Sequence, residues 1–206
     1  MTAHYLATLF SDPVKAAQQA NGSRHAYARA DGAPAVPDAL TGREAGFIMA
    51  RDSFYMASVG AAGWPYLQHR GGPAGFVKIL DDRQLGFADY RGNRQYVSAG
   101  NLADDPRAAF FFMDYPNRVR LKLLGRVRAI DLTDAPELAT QLIDEGYGAK
   151  IERGFIIDVE AYDWNCPQHI AQRFTLSEIA PTIDTLKARI AELEAAADDR
   201  HTSRNP

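Results

Sequence analysis

Between Ser53 and Glu160 the chain is dominated by short apolar runs broken by turn residues, a pattern that predicts strands rather than helices. Phe54–Val59 and Trp64–His69 flank Gly60-Ala-Ala-Gly63, which reads as a hairpin. Phe76–Leu80 and Gln84–Ala88 flank Asp81-Asp82-Arg83, a second tight turn. Ala108–Met113 and Arg118–Ile130 surround Asp114-Tyr-Pro-Asn117, and Gly154–Glu160 is the last long run. About six antiparallel runs with short turns predict a barrel, because closing a sheet removes its unpaired edges. The expected class is mainly β with peripheral helices: a six-stranded antiparallel split β-barrel.

Helical periodicity is confined to the flanks and a few crossings. Ser11-Asp12-Pro13 starts a short helix that Asn21-Gly22 ends, and Asp31 to Pro37 is turn-rich. Ala39 to Arg51 is expected as a helix, with Thr41 as N-cap and Glu44 as its capping-box partner. A helical segment is expected from about Asn93 to Leu102, stopped before Asp105-Pro106, and another from Ala135 to Glu145. Near the end, Ile179, Ile183, Leu186, Ile190 and Leu193 recur at spacings of four and three, one apolar stripe on a helix, with Pro181 in its first turn. The stripe is expected to pack on its own barrel or on a dimer mate. These signals divide the chain into an N-terminal extension packed on the barrel (1–40), a barrel (41–175), an amphipathic helix (176–200) and a disordered tail (201–206).

A chain of 206 residues is enough for one domain with a substantial core. Its net charge of −3 argues against general nucleic-acid binding. The cations are local instead, concentrated between Arg70 and Arg128, which fits a small anionic ligand better than a polyanion. The single cysteine, Cys166, allows no intrachain disulfide, and no stretch approaches the roughly 20 apolar residues of a membrane span. The start Met1-Thr-Ala-His-Tyr-Leu lacks a signal-peptide pattern, so the expectation is a cytoplasmic protein without membrane or nucleic-acid partners. The five histidines lack short metal-ligand spacings, so no metal site is expected.

Three clusters carry candidate chemistry, each where an apolar run stops. Arg91-Gly92-Asn93-Arg94-Gln95 precedes a helix, where free backbone N–H groups and the helix dipole favour an anion. Arg94 can grip phosphate oxygens bidentately, Gly92 permits close backbone approach, and Ser98 adds a hydroxyl one turn on. Gln68-His69-Arg70-Gly71-Gly72 offers donors for a flat polar ring, as does Asp163-Trp164-Asn165-Cys166-Pro167-Gln168-His169. Asp89 stands beside the first cluster, and Lys122 is a lone cation in the apolar run Leu121-Lys-Leu-Leu.

From about Thr41 to Phe174 these segments resemble the FMN-binding split barrel of the pyridoxamine 5′-phosphate oxidase-related family. The resemblance implies FMN as cofactor and a homodimer with flavin sites at the interface. It places Arg91, Asn93, Arg94 and Gln95 at the phosphate, and Gln68, His69, Arg70 and Gly71 along the ring and ribityl chain. Lys122 falls near the ring, and Trp164, Asn165, Gln168 and His169 reach the flavin bound mainly by the other subunit. Family members that oxidise pyridoxamine phosphate end in an Arg-Leu-His-Asp-Arg-type segment, where this chain has His169-Ile-Ala-Gln-Arg173-Phe. The expected activity is therefore an FMN-dependent oxidoreductase acting on another small-molecule substrate, with no catalytic residue assignable. Alternative readings are a non-enzymatic flavin- or haem-binding protein and a deazaflavin-dependent reductase.

Overall fold

The computed structural model describes residues 2–32, 36–164 and 166–202, with side chains described to 197. Residues 1–114 and 119–168 form one compact unit, and residues 115–118 with 169–206 form a second.

The first unit opens with helices α1 (Ala3–Leu9), α2 (Asp12–Ala20) and α3 (Arg24–Tyr27), the last continued by a 3₁₀ turn at Ala28–Ala30. Gly22, with φ 71°, ends α2 in the left-handed conformation that glycine adopts freely. Next comes α4 (Gly42–Met49), whose capping box forms as the sequence predicts: Thr41 and Glu44 exchange side-chain-to-backbone hydrogen bonds. Seven strands follow: β1 (Ser53–Val59), β2 (Pro65–Gly71), β3 (Lys78–Ile79), β4 (Gln84–Tyr90), β5 (Arg107–Asp114), β6 (Val119–Ile130) and β7 (Ile151–Trp164). Between them lie α5 (Val97–Asp104) and α6 (Pro136–Leu142).

The strands pair in the order β2-β1-β5-β6-β7-β4-β3, one antiparallel sheet of seven rather than the expected six. The shortest is β3, two residues within the Phe76–Leu80 run, which completes the hairpin read from Asp81-Asp82-Arg83. Strands β2 and β4 are separated in that order by four others, yet Arg70 on β2 and Asp89 on β4 form an ion pair. Contact between such distant members requires the sheet to curl on itself, and the Arg70–Asp89 pair marks the seam of the split barrel. Inside the curl, Phe54 on β1 touches the rings of Phe76, Phe87, Phe110 and Phe112, and Phe87 also meets Phe155. All six phenylalanines are essentially fully buried, each worth about 1.5–3 kcal/mol of transfer free energy.

The N-terminal helices are tied to this sheet by a small apolar cluster in which Tyr5, Leu6 and Ala30 meet Ala161 on β7, with Leu124 on β6 beside it. Thr2 caps α1 and donates to Asp38 Oδ2 at 2.6 Å, which in turn accepts the Tyr162 amide at 3.1 Å.

The second unit contains α7 (Leu176–Thr202), 27 residues long. It starts at Leu176, three residues before the apolar stripe, where Thr175 and Glu178 form a capping box: the Thr175 amide donates to Glu178 and the Glu178 amide to Thr175 Oγ1. Pro181 therefore sits inside the helix, beyond its first turn. The helix also runs into the segment expected to be a disordered tail, of which 203–206 lie outside the described residues. Among the described residues no helix is long and apolar enough to cross a membrane, and no cluster of His, Cys, Asp and Glu is arranged to hold a metal.

Candidate functional site

Strand alternation sorts the Gln68–Gly71 cluster onto two faces. Gln68 and Arg70 turn inward toward the seam, while Leu67 and His69 turn outward. Ser98, in the first turn of α5 and fully buried, donates to Gln68 Oε1 at 2.7 Å and ties β2 to that helix. Arg70 bonds Asp89, and its guanidinium lies 5.6 Å from the centre of the Phe155 ring. Asp89 also holds Arg153, whose Nε is 3.3 Å from Asp89 Oδ2 and which is its cross-strand partner on β7. Burial raises the Asp89 carboxyl above its ordinary value, and the two guanidiniums only partly offset this. Among the described residues the Nε of Arg70 is buried without a hydrogen-bond acceptor, and that of Arg153 has only its ion pair with Asp89.

The helix predicted from about Asn93 to Leu102 forms, but without its first four residues. Arg94 and Tyr96 both adopt left-handed backbone conformations, φ 62° and 55°, and α5 starts only at Val97. Non-glycine residues held there cost on the order of 1 kcal/mol or more and persist where surroundings fix them. The fixing contacts are visible. The Asn93 side chain accepts the Gln95 amide at 3.2 Å, Arg94 Nε donates to the Tyr96 hydroxyl at 3.1 Å, and that hydroxyl donates to Glu152 Oε1 at 3.1 Å. Arg91 Nε also bonds Glu152 Oε1 at 2.8 Å, and this bond is the main reason that the Glu152 carboxyl lies below its ordinary range.

Two adjoining cavities result. A polar one of about 60 Å³ is walled by Gln68, Arg70, Asp89, Asn93, Arg94 and Ser98, with Tyr90, Gly92, Tyr96, Ala99 and Glu152 completing it. A second of about 160 Å³ shares Gln68, Arg70, Asp89, Tyr90 and Gly92 with the first and adds His69, Gly71, Phe76, Phe87 and Ala88. Gly72 permits the tight approach beneath: a Cβ there would fall 2.7 Å from the Phe76 ring. Most of the first two predicted clusters therefore converge at the seam.

The remaining candidates among the described residues lie outside the two cavities of the single chain. Gln95 is exposed and lines neither cavity. Lys122 lies away from both, 2.7 Å from Asp163 Oδ2 and 5.1 Å from the Tyr5 ring centre, on the wall of an open apolar hollow of about 420 Å³. Trp164 is held by α4 of its own chain: its Nε1 donates to Glu44 Oε1 at 2.5 Å, its ring meets Phe47 edge-on at 4.8 Å, and Arg43 lies 4.2 Å from it. Gln168 is exposed in a turn and lines neither cavity. His169 belongs to the second unit, with φ 64°, and Asn165 falls outside the described residues. Tyr96, Glu152 and Arg153 were not legible as site residues. The one signal for the last two was the acid–base pair Glu152-Arg153 opening a strand that pairs with Asp89.

A family model described as pyridoxamine 5′-phosphate oxidase matches residues 40–180, well over half of the chain. No curated protein matches. Among solved structures, HupZ of Group A Streptococcus is 16% identical, with 66% of this chain and 100% of that one covered at a TM-score of 0.48. A putative pyridoxamine 5′-phosphate oxidase of Lactobacillus delbrueckii is 18% identical, covering 61% and 93% at 0.46. An FMN-binding protein of Syntrophomonas wolfei is 9% identical, covering 60% and 85% at 0.46. With the split barrel and its seam site in place, the family match settles the ancestry: the chain belongs to the pyridoxamine 5′-phosphate oxidase family.

Proposed function

We propose that the chain binds FMN at the seam and works, as a homodimer, as an oxidoreductase on a small molecule other than pyridoxamine phosphate. The observation that carries this reading is the charge of the polar cavity and its surroundings. Four guanidiniums, those of Arg70, Arg91, Arg94 and Arg153, face two carboxylates, Asp89 and Glu152. Two positive charges are left over, which match the roughly −1.5 to −2 carried by a phosphate monoester at neutral pH. A void of about 60 Å³ suits a phosphate group, since one water needs about 10–15 Å³ measured in the same way. The buried Nε of Arg70, which has no hydrogen-bond acceptor among the described residues, is a donor suited to such an anion.

In this reading Arg94, Arg70 and Ser98 hold the phosphate, and the backbone of Gln68 to Gly71 runs beside the ring against Phe76 and Phe87. FMN, when bound, supplies the electron-transfer chemistry, while the protein orients it and excludes water. The adjoining cavity of about 160 Å³ is smaller than the roughly 300–1,000 Å³ of sites that enclose such ligands. One chain therefore supplies only part of a flavin site, which favours completion by a second copy. The surface for that copy is the outward face of β2, β1, β5 and β6, where Leu67 is 65% exposed and Tyr55, Ala57, Ala109 and Phe111 line the 420 Å³ hollow.

The test is direct. Purified protein should carry a yellow chromophore that is released on denaturation and chromatographs as FMN. Arg94→Ala should weaken FMN binding by one to two decades, from a charge-assisted bond worth about 1.5–3 kcal/mol. A Soret band, a deazaflavin, or unchanged FMN affinity in the variant would overturn the reading. Sedimentation at micromolar concentration should show a dimer, and a monomer holding stoichiometric FMN would defeat the shared site.

A further inference from the structure

Helix α7 is 27 residues long, roughly 40 Å at 1.5 Å per residue, and most of its apolar side is exposed. Leu176 is 82% exposed, Leu186 58%, Ile190 55% and Leu193 50%. An amphipathic helix with its apolar stripe in water lacks the packing that supplies most helical stability. Assigned to a heptad, Leu176, Ile183, Ile190 and Ala197 fall at a, and Ile179, Leu186 and Leu193 fall at d. No charged residue occupies a or d between Leu176 and Ala197.

We propose that α7 pairs with α7 of a second copy as a parallel, in-register, two-stranded coiled coil. Three features of the helix select that occupant. Ile at the two central a positions with Leu at the following d positions is the combination that favours two parallel strands. Arg189 falls at g and Glu194 at the next e, so a parallel pair places opposite charges across the seam on both sides. Among the described residues of the single chain Arg189 bonds only the exposed Glu192, at 2.7 Å along the same helix, a surface contact that it can exchange for one across the pair. Pro181 falls at f, the position most remote from the seam, where its missing amide and bulky ring do not disturb the interface. The inference stands on the helix alone and holds whether or not the seam cavity binds FMN.

The test uses the full chain with Cys166→Ser to remove the native thiol. Ile190→Cys should form an interchain disulfide almost completely under mild oxidation at low micromolar protein. Ala188→Cys, at f, should remain monomeric on non-reducing gels. Circular dichroism of each reduced variant verifies that the fold is kept. Arg189→Glu should slow the Ile190→Cys cross-link several-fold by opposing Glu194, and Arg189→Glu with Glu194→Arg should restore it. Absence of the Ile190→Cys cross-link, equal cross-linking at Ala188→Cys, or no rescue by the double charge swap would overturn the proposal. Because the readout is position-specific within α7, dimerisation through the barrel alone cannot mimic it.

Discussion

Replacing Trp164 with Phe separates two roles for this residue, an anchor on its own α4 or a wall for a cofactor. The Nε1–H···Oε1 bond to Glu44 runs at 2.5 Å to a carboxylate only 3% exposed. Burial pushes the Glu44 carboxyl up, but the hydrogen bonds from Thr41 and Trp164 outweigh it and leave the group below its ordinary value, so the acceptor is ionised at neutral pH. A hydrogen bond to a charged group contributes about 1.5–3 kcal/mol. Phenylalanine keeps the edge-on contact with Phe47 and a face for Arg43, so the loss should stay near the middle of that range, about 2 kcal/mol. For a chain of this size, 1 kcal/mol moves Tm by roughly 2–4 °C, so thermal unfolding should fall by about 4–8 °C. FMN affinity, measured by fluorescence titration, should change less than about twofold, well under the tenfold that 1.4 kcal/mol represents. Adding Glu44→Gln should cost less in the Trp164→Phe background than in the wild type, since the partners act as a pair. An unchanged Tm together with a tenfold loss of FMN would refute the anchor and return Trp164 to the cofactor.

Other outcomes follow from the same geometry. The protein loaded with FMN should form negligible pyridoxal phosphate from pyridoxamine phosphate, because Arg173, the one cation in the His169–Phe174 segment, already lies 4.9 Å from the Tyr115 ring; turnover near the usual enzymatic floor of about one per second would contradict this. Gly72→Ala should cost about 1–3 kcal/mol in denaturant unfolding, since its Cβ would collide with the buried Phe76 ring that walls the second cavity; an unchanged midpoint would show that Phe76 moves freely. Burial, reinforced by Asp144, pushes the Tyr90 phenol up to about 12 from 10.0, so the folded state keeps a proton that the unfolded state loses. Stability should therefore fall between pH 10 and 12 and fall less in Tyr90→Phe; parallel pH–Tm curves for the two proteins would exclude it.

The parts of this molecule legible in sequence are those whose partners are near in sequence. The Thr41–Glu44 capping box is three residues long, and the hairpins are set by turns of a few residues. The conformation of Asn93 to Tyr96 is not legible, because the left-handed residues are fixed by Glu152, which bonds the Tyr96 hydroxyl from 56 positions away. The Trp164 anchor is hidden for the same reason, since its partner Glu44 lies 120 residues earlier. Lys122 has the composition of a ligand contact, and only the pairing of β6 with β7 reveals that Asp163 already answers it. The start of α7 is local in the same way as the first capping box, since Thr175-Leu-Ser-Glu178 is itself a capping-box sequence.

The seam also dictates when the site can exist. Strand β4 borders β7, so Gln84 meets Asp158 from 74 positions away, and Arg70 cannot reach Asp89 until the sheet has curled. Contacts so remote in sequence are made late and slowly. During synthesis at roughly 5–20 residues per second, β2, β4 and the Arg91–Tyr96 loop leave the ribosome several seconds before β7. A chain stalled in that interval holds most of the seam's cationic residues but neither the strand that brings β4 home nor Glu152 to brace the loop. If the seam holds FMN as proposed, such a nascent chain cannot yet bind it, and loading must follow docking of the last strand.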